Sequence, residues 1–232
     1  NKIQAGYLGT PSLYETSFGY GASANTYYTT AIGATAQATT GWYATAVGYG
    51  ASANNYYTTA LGSSASATTG QYATAVGYGA IANNYYTTAL GSTASANTGQ
   101  YATAVGFGAI ASNYYATAIG SQAKASTTIG NGATAIGFQA IANNYYATAL
   151  GYQATATGQN STAIGNGANA SHDNTIILGN GANVGINTPT PSEKLEVNGN
   201  AKIDGTLNVN GTTYTSDIRY KKNLQQLLNV LS

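Results

Sequence analysis

The side chains best suited to act on another molecule are aromatic rings and hydroxyls set at fixed distances from a recurring glycine. Five residues before Gly33, Gly48, Gly62, Gly77, Gly91, Gly106, Gly120 and Gly151 stand Tyr28, Tyr43, Tyr57, Tyr72, Tyr86, Tyr101, Tyr115 and Tyr146. One residue earlier come Tyr27, Trp42, Tyr56, Tyr85, Tyr114 and Tyr145. Directly after a glycine sit Tyr20, Tyr49, Tyr78, Phe107, Phe138 and Tyr152, and three residues before it runs a threonine column from Thr30 to Thr162. A tyrosine offers an apolar face with a polar tip, so these columns suit contact with a saccharide or protein surface rather than bond-making. The first two columns are the ligand-binding candidates. Stacking between coils and across chains is the competing use of the same rings. For the threonines, hydrogen bonding between neighbouring strands fits better than the flat hydroxyl face that ice binding needs.

Charge is scarce. Only 6% of residues are charged, the formal net charge is +1, and between Glu15 and His172 the one charged side chain is Lys124. Such a stretch cannot follow a phosphate backbone, which takes several Lys or Arg contacts, so nucleic acid is not an expected partner. It also lacks the paired carboxylates or histidines of acid–base catalysis and metal cages; no enzyme activity, cofactor or metal site is expected. Gly48-Tyr49-Gly50-Ala51-Ser52-Ala53 fits a G-x-G-x-x-A fingerprint, but the acidic residue and the helix that dinucleotide binding requires do not follow it. His172 beside Asp173 has no cluster around it and reads as a turn or cap. Apolar residues reach 43%, enough to bury, in runs too short to span a bilayer, so membrane insertion is not expected. The lack of cysteine rules out disulfides. The chain starts at Asn1 rather than Met, as a piece of a longer polypeptide would.

The elements that must position these columns follow from the glycine spacing. From Gly19 to Gly179 the intervals are 14, 15, 14, 15, 14, 15, 14, 17, 14, 14 and 14 residues, and Ala-x-Ala follows most of the glycines. A period near 14 is too short for a helical hairpin repeat and predicts a parallel β-solenoid. Each coil holds two strands of about five residues and two tight turns, with Thr, Tyr, Val and Ile in the strands. Along Tyr57-Thr58-Thr59-Ala60-Leu61-Gly62 alternate residues face opposite sides, alanine to one and the aliphatic residue to the other. Asn55, Asn84 and Asn144 share a slot with Gly70, Gly99 and Gly158, which suggests a left-handed turn residue there. Walls of alanine bury little area, so a single chain of this kind lacks a core of its own. A homo-oligomer is expected.

Thr157-Gly158-Gln159-Asn160-Ser161-Thr162-Ala163-Ile164-Gly165-Asn166-Gly167-Ala168-Asn169-Ala170 resembles the head repeat of YadA-like trimeric autotransporter adhesins. The resemblance covers roughly residues 19–183 and implies a left-handed β-roll with three chains side by side. The tyrosine-rich coils depart from the family pattern.

After Asn183 charge returns, and Pro189 and Pro191 mark a connector. Val197-Asn198-Gly199, Ile203-Asp204-Gly205 and Val209-Asn210-Gly211 repeat every six residues as turn signals between short strands. The stretches Asn183-Val184-Gly185-Ile186-Asn187-Thr188 and Glu193 to Gly199 resemble bacteriophage tail-fibre linkers. Thr215-Ser216-Asp217-Ile218-Arg219-Tyr220-Lys221-Lys222-Asn223 resembles the opening of an endosialidase-type intramolecular chaperone domain, which implies an autocleavage junction between Ser216 and Asp217. With the rest of that domain missing, self-cleavage is not expected. Leu224, Leu227, Leu228 and Leu231 lie at helical spacing and predict a short helix. The expected organisation is a lead-in over 1–18, β-roll repeats over 19–183, a β-rich trimeric shaft over 184–215 and the start of a chaperone domain over 216–232.

The expected fold is thus all-β, a homotrimeric fibre of 14–15-residue coils with a short C-terminal helix. Its expected role is attachment to a cell surface, as a phage tail fibre or receptor-binding shaft, outside the cell and on a virion. A bacterial surface adhesin and a purely structural spacer are the alternatives. The partners are other copies of the chain and a cell-surface glycan or protein receptor.

Overall fold

The structure, a computed structural model, describes residues 3–5, 14–126, 131–209 and 212–215. The chain divides into two compact units, residues 1–182 and 183–232.

In the first unit every coil contributes a three-residue strand to one sheet and a two-residue strand or a single bridge to another, as with Thr59–Leu61 and Ser66–Ala67. The larger sheet has thirteen strands in chain order among the described residues. Its first strand, Ile3–Ala5, runs antiparallel to Thr16–Phe18, and from there the strands are parallel. Register is strict: Thr59, Ala60 and Leu61 pair with Thr74, Ala75 and Val76, which pair in turn with Thr88, Ala89 and Leu90. The smaller sheet runs from Ser23–Ala24 to Ser66–Ala67 and from Ile110–Ala111 to Asn169–Ala170. Single bridges through Ile81 and Ser95 join its two parts.

The strands are shorter than the sequence suggests. From Thr30–Ile32 to Thr162–Ile164 each three-residue strand is bracketed by backbone that an extended chain cannot adopt: before Thr59–Leu61 comes Tyr57 at φ 57°, and after it Gly62 at φ 133° and Ser64 at φ 57°. These three left-handed residues per coil leave room for three residues on one wall and two on the other. The parallel coils, the inward alanines and the outward aliphatic residues are as the alternation predicts.

The interior is alanine. Ala60, Ala65, Ala67, Ala73 and Ala75 are fully buried, as are their equivalents in almost every coil, and the largest fully buried side chains are Thr29, Thr58, Thr87 and Ser161. Each of these hydroxyls donates to the carbonyl three residues back; Thr58 Oγ1 lies 2.7 Å from Asn55 O and Ser161 Oγ 2.6 Å from Gly158 O. Buried hydroxyls are thereby satisfied.

The slot shared by asparagine and glycine is not left-handed, contrary to the expectation from the sequence. The left-handed residue is the tyrosine two positions on. What requires glycine is the next coil: a Cβ on Gly70 would lie 1.9 Å from Asn84 C and 2.2 Å from Asn84 O. In the alternating coils the asparagine works as a clamp, Asn55 Oδ1 accepting from Tyr56 N at 2.8 Å and Asn55 Nδ2 donating to Thr69 O at 2.8 Å. The 15-residue coils carry one extra residue, absorbed where Asn54 Oδ1 accepts from Thr39 N and where Asn83 Oδ1 accepts from Thr68 N, both at 2.8 Å. Two unlike coils, one asparagine-clamped and one glycine-packed, explain why the pattern repeats over pairs.

In the second unit Val184–Ile186 pairs in parallel with Leu195–Val197, and Thr206–Val209 pairs antiparallel with Thr212–Thr215 on either side of Asn210-Gly211. Ser192 donates to Glu196 through its backbone N–H at 2.7 Å and its hydroxyl at 3.0 Å. These bonds hold the Glu196 carboxyl below its usual range. Lys202 and Asp204 form an exposed ion pair at 2.9 Å. The Ser216–Asp217 junction and the helix expected around Leu224, Leu227, Leu228 and Leu231 lie outside the described residues. No helix among the described residues is long and apolar enough to cross a membrane.

Candidate functional site

Large side chains stand in columns on the outside of the alanine tube. The first is the tyrosine ladder. Tyr14, Tyr28, Tyr43, Tyr57, Tyr72, Tyr86, Tyr101 and Tyr115 stack ring on ring, with centroids 4.9–5.2 Å apart and planes within 12° of parallel. That distance is the separation of neighbouring parallel strands, so the sheet imposes it. Gly132 takes the ladder slot in the coil before Tyr146, and that gap leaves Tyr146 63% exposed. The neighbouring column of Tyr27, Trp42 and Tyr56 packs edge-on and tilted, at 5.3 and 5.8 Å. Its further members Tyr85, Tyr114 and Tyr145 are exposed, and Gln71, Gln100 and Asn131 hold the slot in the coil before each of them.

Every ladder tyrosine from Tyr28 to Tyr146 has φ between 50° and 59°. A bulky residue rarely adopts this backbone, and holding it there costs about 1–2 kcal/mol per residue. Asn160 and Asn174 occupy the same slot in later coils with φ of 52° and 56°, and asparagine tolerates that region. The rings are therefore kept against the local backbone preference. Each internal stack returns about 0.5–1.5 kcal/mol. Tyr57→Asn relieves the strain while losing two stacks, so its unfolding free energy should stay within about 1 kcal/mol of the parent. Tyr57→Ala keeps the strain and loses the stacks, and should fall by about 1–3 kcal/mol. Thermal unfolding of the two variants side by side checks the difference.

The second column is Tyr20, Tyr49, Tyr78, Phe107 and Phe138, one ring in every second coil, ending where Phe138 stacks on Tyr152 at 5.3 Å. Tyr49 and Tyr78 are 67% and 66% exposed. Beside it runs a second left-handed slot that the sequence reading missed. Glycines at 21, 50, 79 and 108 alternate there with Thr35, Ser64, Thr93 and Gln122, all at φ between 55° and 65°. The glycines two residues after the repeat glycine were the available signal. Gln122, Gln139 and Gln153 link their amides in this slot, Nε2 to Oε1 at 2.8 and 2.9 Å, above the exposed Lys124.

The third column is aliphatic. Ile32, Leu61, Leu90, Ile119, Leu150 and Ile164 are each between 36% and 43% exposed and alternate with Val47, Val76, Val105 and Ile136 on the outer face of the larger sheet. No polar residue interrupts it from Ile32 to Ile164. The corresponding outward column of the smaller sheet is mixed, with Ser52, Ser66, Ile81, Ser95 and Lys124. The threonine column from Thr30 to Thr162 is half-buried beside the aliphatic one, paired threonine to threonine across the strands, and does not form a separate flat hydroxyl face. His172 lies beside Ser171, Oγ to Nδ1 3.2 Å, and Asp173 Oδ1 accepts from Gln159 N at 2.7 Å, a capping contact between coils.

These features can be compared with known proteins. The family model for the YadA head domain repeat matches residues 16–39, 40–65, 69–97, 98–123, 111–128, 129–154 and 156–182. Among solved structures the chain is similar to the collagen-binding domain of the Yersinia adhesin YadA, at 19% identity and a TM-score of 0.36, over 86% of this chain and 84% of that one. No curated protein matches it.

Proposed function

Because the chain belongs to the YadA head domain repeat family, we propose that it is the head of a three-chain adhesive fibre, displayed outside a cell or virion, that attaches to another surface by binding and not by catalysis. One observation carries this reading: among the described residues of the first unit nothing larger than threonine is fully buried, while an unbroken aliphatic column and the aromatic columns lie outside. Burial of apolar surface is the main favourable term in folding, at about 25 cal/mol per Å². Alanine-walled coils gain little of it, and covering the aliphatic column with two further copies supplies the rest. The left-handed winding implied by the family resemblance belongs to the same proposal.

The aromatic columns then face outward, repeated along each of three chains. Weak contacts of this kind add up when the sites are linked, so affinity for a cell-surface glycan or protein comes from many rings acting together. A phage tail fibre is the first reading of what carries the head, supported by the likeness of 183–199 and 215–223 to tail-fibre linkers and a chaperone opening. A bacterial surface adhesin is the second, supported by the family itself.

Light scattering on the eluting peak in size-exclusion chromatography should give three copies per particle. A well-folded monomer would overturn the proposal.

A further inference from the structure

We infer that the edge carrying Tyr20, Tyr49, Tyr78 and Phe107 is a comb for a neutral, extended β-linked glycan, with one ring under every second sugar. This names the ligand class of the adhesive reading above and rests on it. The rings stand singly, because Ala34, Ser63 and Ser92 fill the same column in the coils between. Neighbouring coils are about 4.8 Å apart, so successive rings repeat at about 9.6 Å. In an extended β-linked chain the same sugar face also returns at every second unit, one disaccharide further on. Aromatic faces suit the C–H surface of a pyranose as they suit other apolar contacts.

The intervening sugar meets hydroxyls. Ser63 and Ser64 lie between Tyr49 and Tyr78, and Ser92 and Thr93 lie between Tyr78 and Phe107. Ser64 and Thr93 are exposed and left-handed, at φ 57° and 55°. Their side-chain hydroxyls make no hydrogen bond among the described residues. Glycine would fill this slot without strain, and does so beside each of the four rings. A side chain held in strained backbone where the fold accepts glycine points to a use for the side chain itself. The glycines also keep the approach open: a Cβ on Gly50 would sit 3.8 Å from Thr35 Oγ1 and 3.9 Å from Ser64 Oγ.

Charge points the same way. No ionised side chain lies between Glu15 and Lys124, so a sulfated or carboxylated polymer would find no counter-charge here, whereas a neutral one loses nothing. A polyproline II peptide repeats every three residues at about 9.3 Å and fits the ring spacing too. Such peptides are held in aromatic-lined grooves, whereas these rings stand one by one beside groups that both donate and accept, as sugar hydroxyls do.

Calorimetric titration of the full chain with chitohexaose and chitobiose tests the inference. The hexamer should bind at least tenfold more tightly than the dimer. Tyr49→Ala combined with Tyr78→Ala should weaken the hexamer at least tenfold at unchanged melting temperature and copy number. Ser64→Gly with Thr93→Gly should raise the melting temperature while weakening the hexamer at least threefold. Absent hexamer binding, or binding indifferent to the ring substitutions, overturns the comb. So does a proline-rich peptide bound more tightly than the hexamer, or a changed copy number in the ring variant, which would assign the rings to the subunit contact. Cell attachment that survives loss of the rings removes the comb and leaves the adhesive reading intact; a parent chain that attaches to no cell removes the adhesive reading itself.

Discussion

Gly77→Ala is expected to lower the stability of the first unit by roughly 3–5 kcal/mol, seen as a large fall in melting temperature. Gly77 has φ +134°, and a Cβ there would lie 2.4 Å from Gly91 O and 2.6 Å from Gly91 C. Both obstacles are backbone of the next coil, so no side chain can swing aside. Moving the coil would break the register that sets Thr74, Ala75 and Val76 against Thr88, Ala89 and Leu90. Stability in stacked repeats is close to a sum of nearest-neighbour terms, so one damaged interface in mid-stack divides the array. Hydrogen exchange should lose protection on both sides of the substitution. Gly50→Ala is the matched control. Its φ is +63° and its nearest neighbours are side-chain atoms 3.8 Å away. Ser64 and Thr93 already occupy that slot, so the loss should be only about 1–2 kcal/mol. Equal melting temperatures for the two variants would show that close backbone approach is not what fixes the repeat glycine.

The parallel coils were legible in the sequence because an inward and an outward set alternate on every strand, and Ala60 against Leu61 is enough to assign them. The repeat glycines were legible as turns for the same reason. What could not be read was which turn residue takes the left-handed backbone. The rule that glycine and asparagine occupy it pointed to Asn55 and Gly70, whereas Tyr57 and Tyr72 hold it. Local preference was outweighed by a term with no local signature, the stacking of one ring on the equivalent ring 14 or 15 residues away. The aromatic candidates were likewise visible as columns, but their difference was not. Rings in every coil stack on one another and rings in alternate coils stand apart, and that follows from the coil spacing once the fold is known. Thr35, Ser64 and Thr93 were hidden because a hydroxyl residue in a serine- and threonine-rich chain carries no mark of strained backbone.

Replacing Leu61 and Leu90 together by glutamate should convert the proposed trimer to monomers and abolish its cooperative unfolding. Both residues lie on the unbroken aliphatic column of the larger sheet and are a little over one-third exposed in the single chain. If that column is the subunit contact, each chain brings two carboxylates into it, and around a threefold axis six like charges are confined together. Desolvating an unpaired carboxylate alone costs several kcal/mol, and mutual repulsion adds to it. The alternative surface provides the control. On the outward column of the smaller sheet Lys124 already holds a charge in an exposed position, so Ser66→Glu with Ser95→Glu should leave three copies per particle and the melting temperature nearly unchanged. Sedimentation of the two double variants separates the possibilities. If the leucine pair still sediments as a trimer, the aliphatic column does not face another copy, and the missing hydrophobic burial must come from a different surface of the alanine tube.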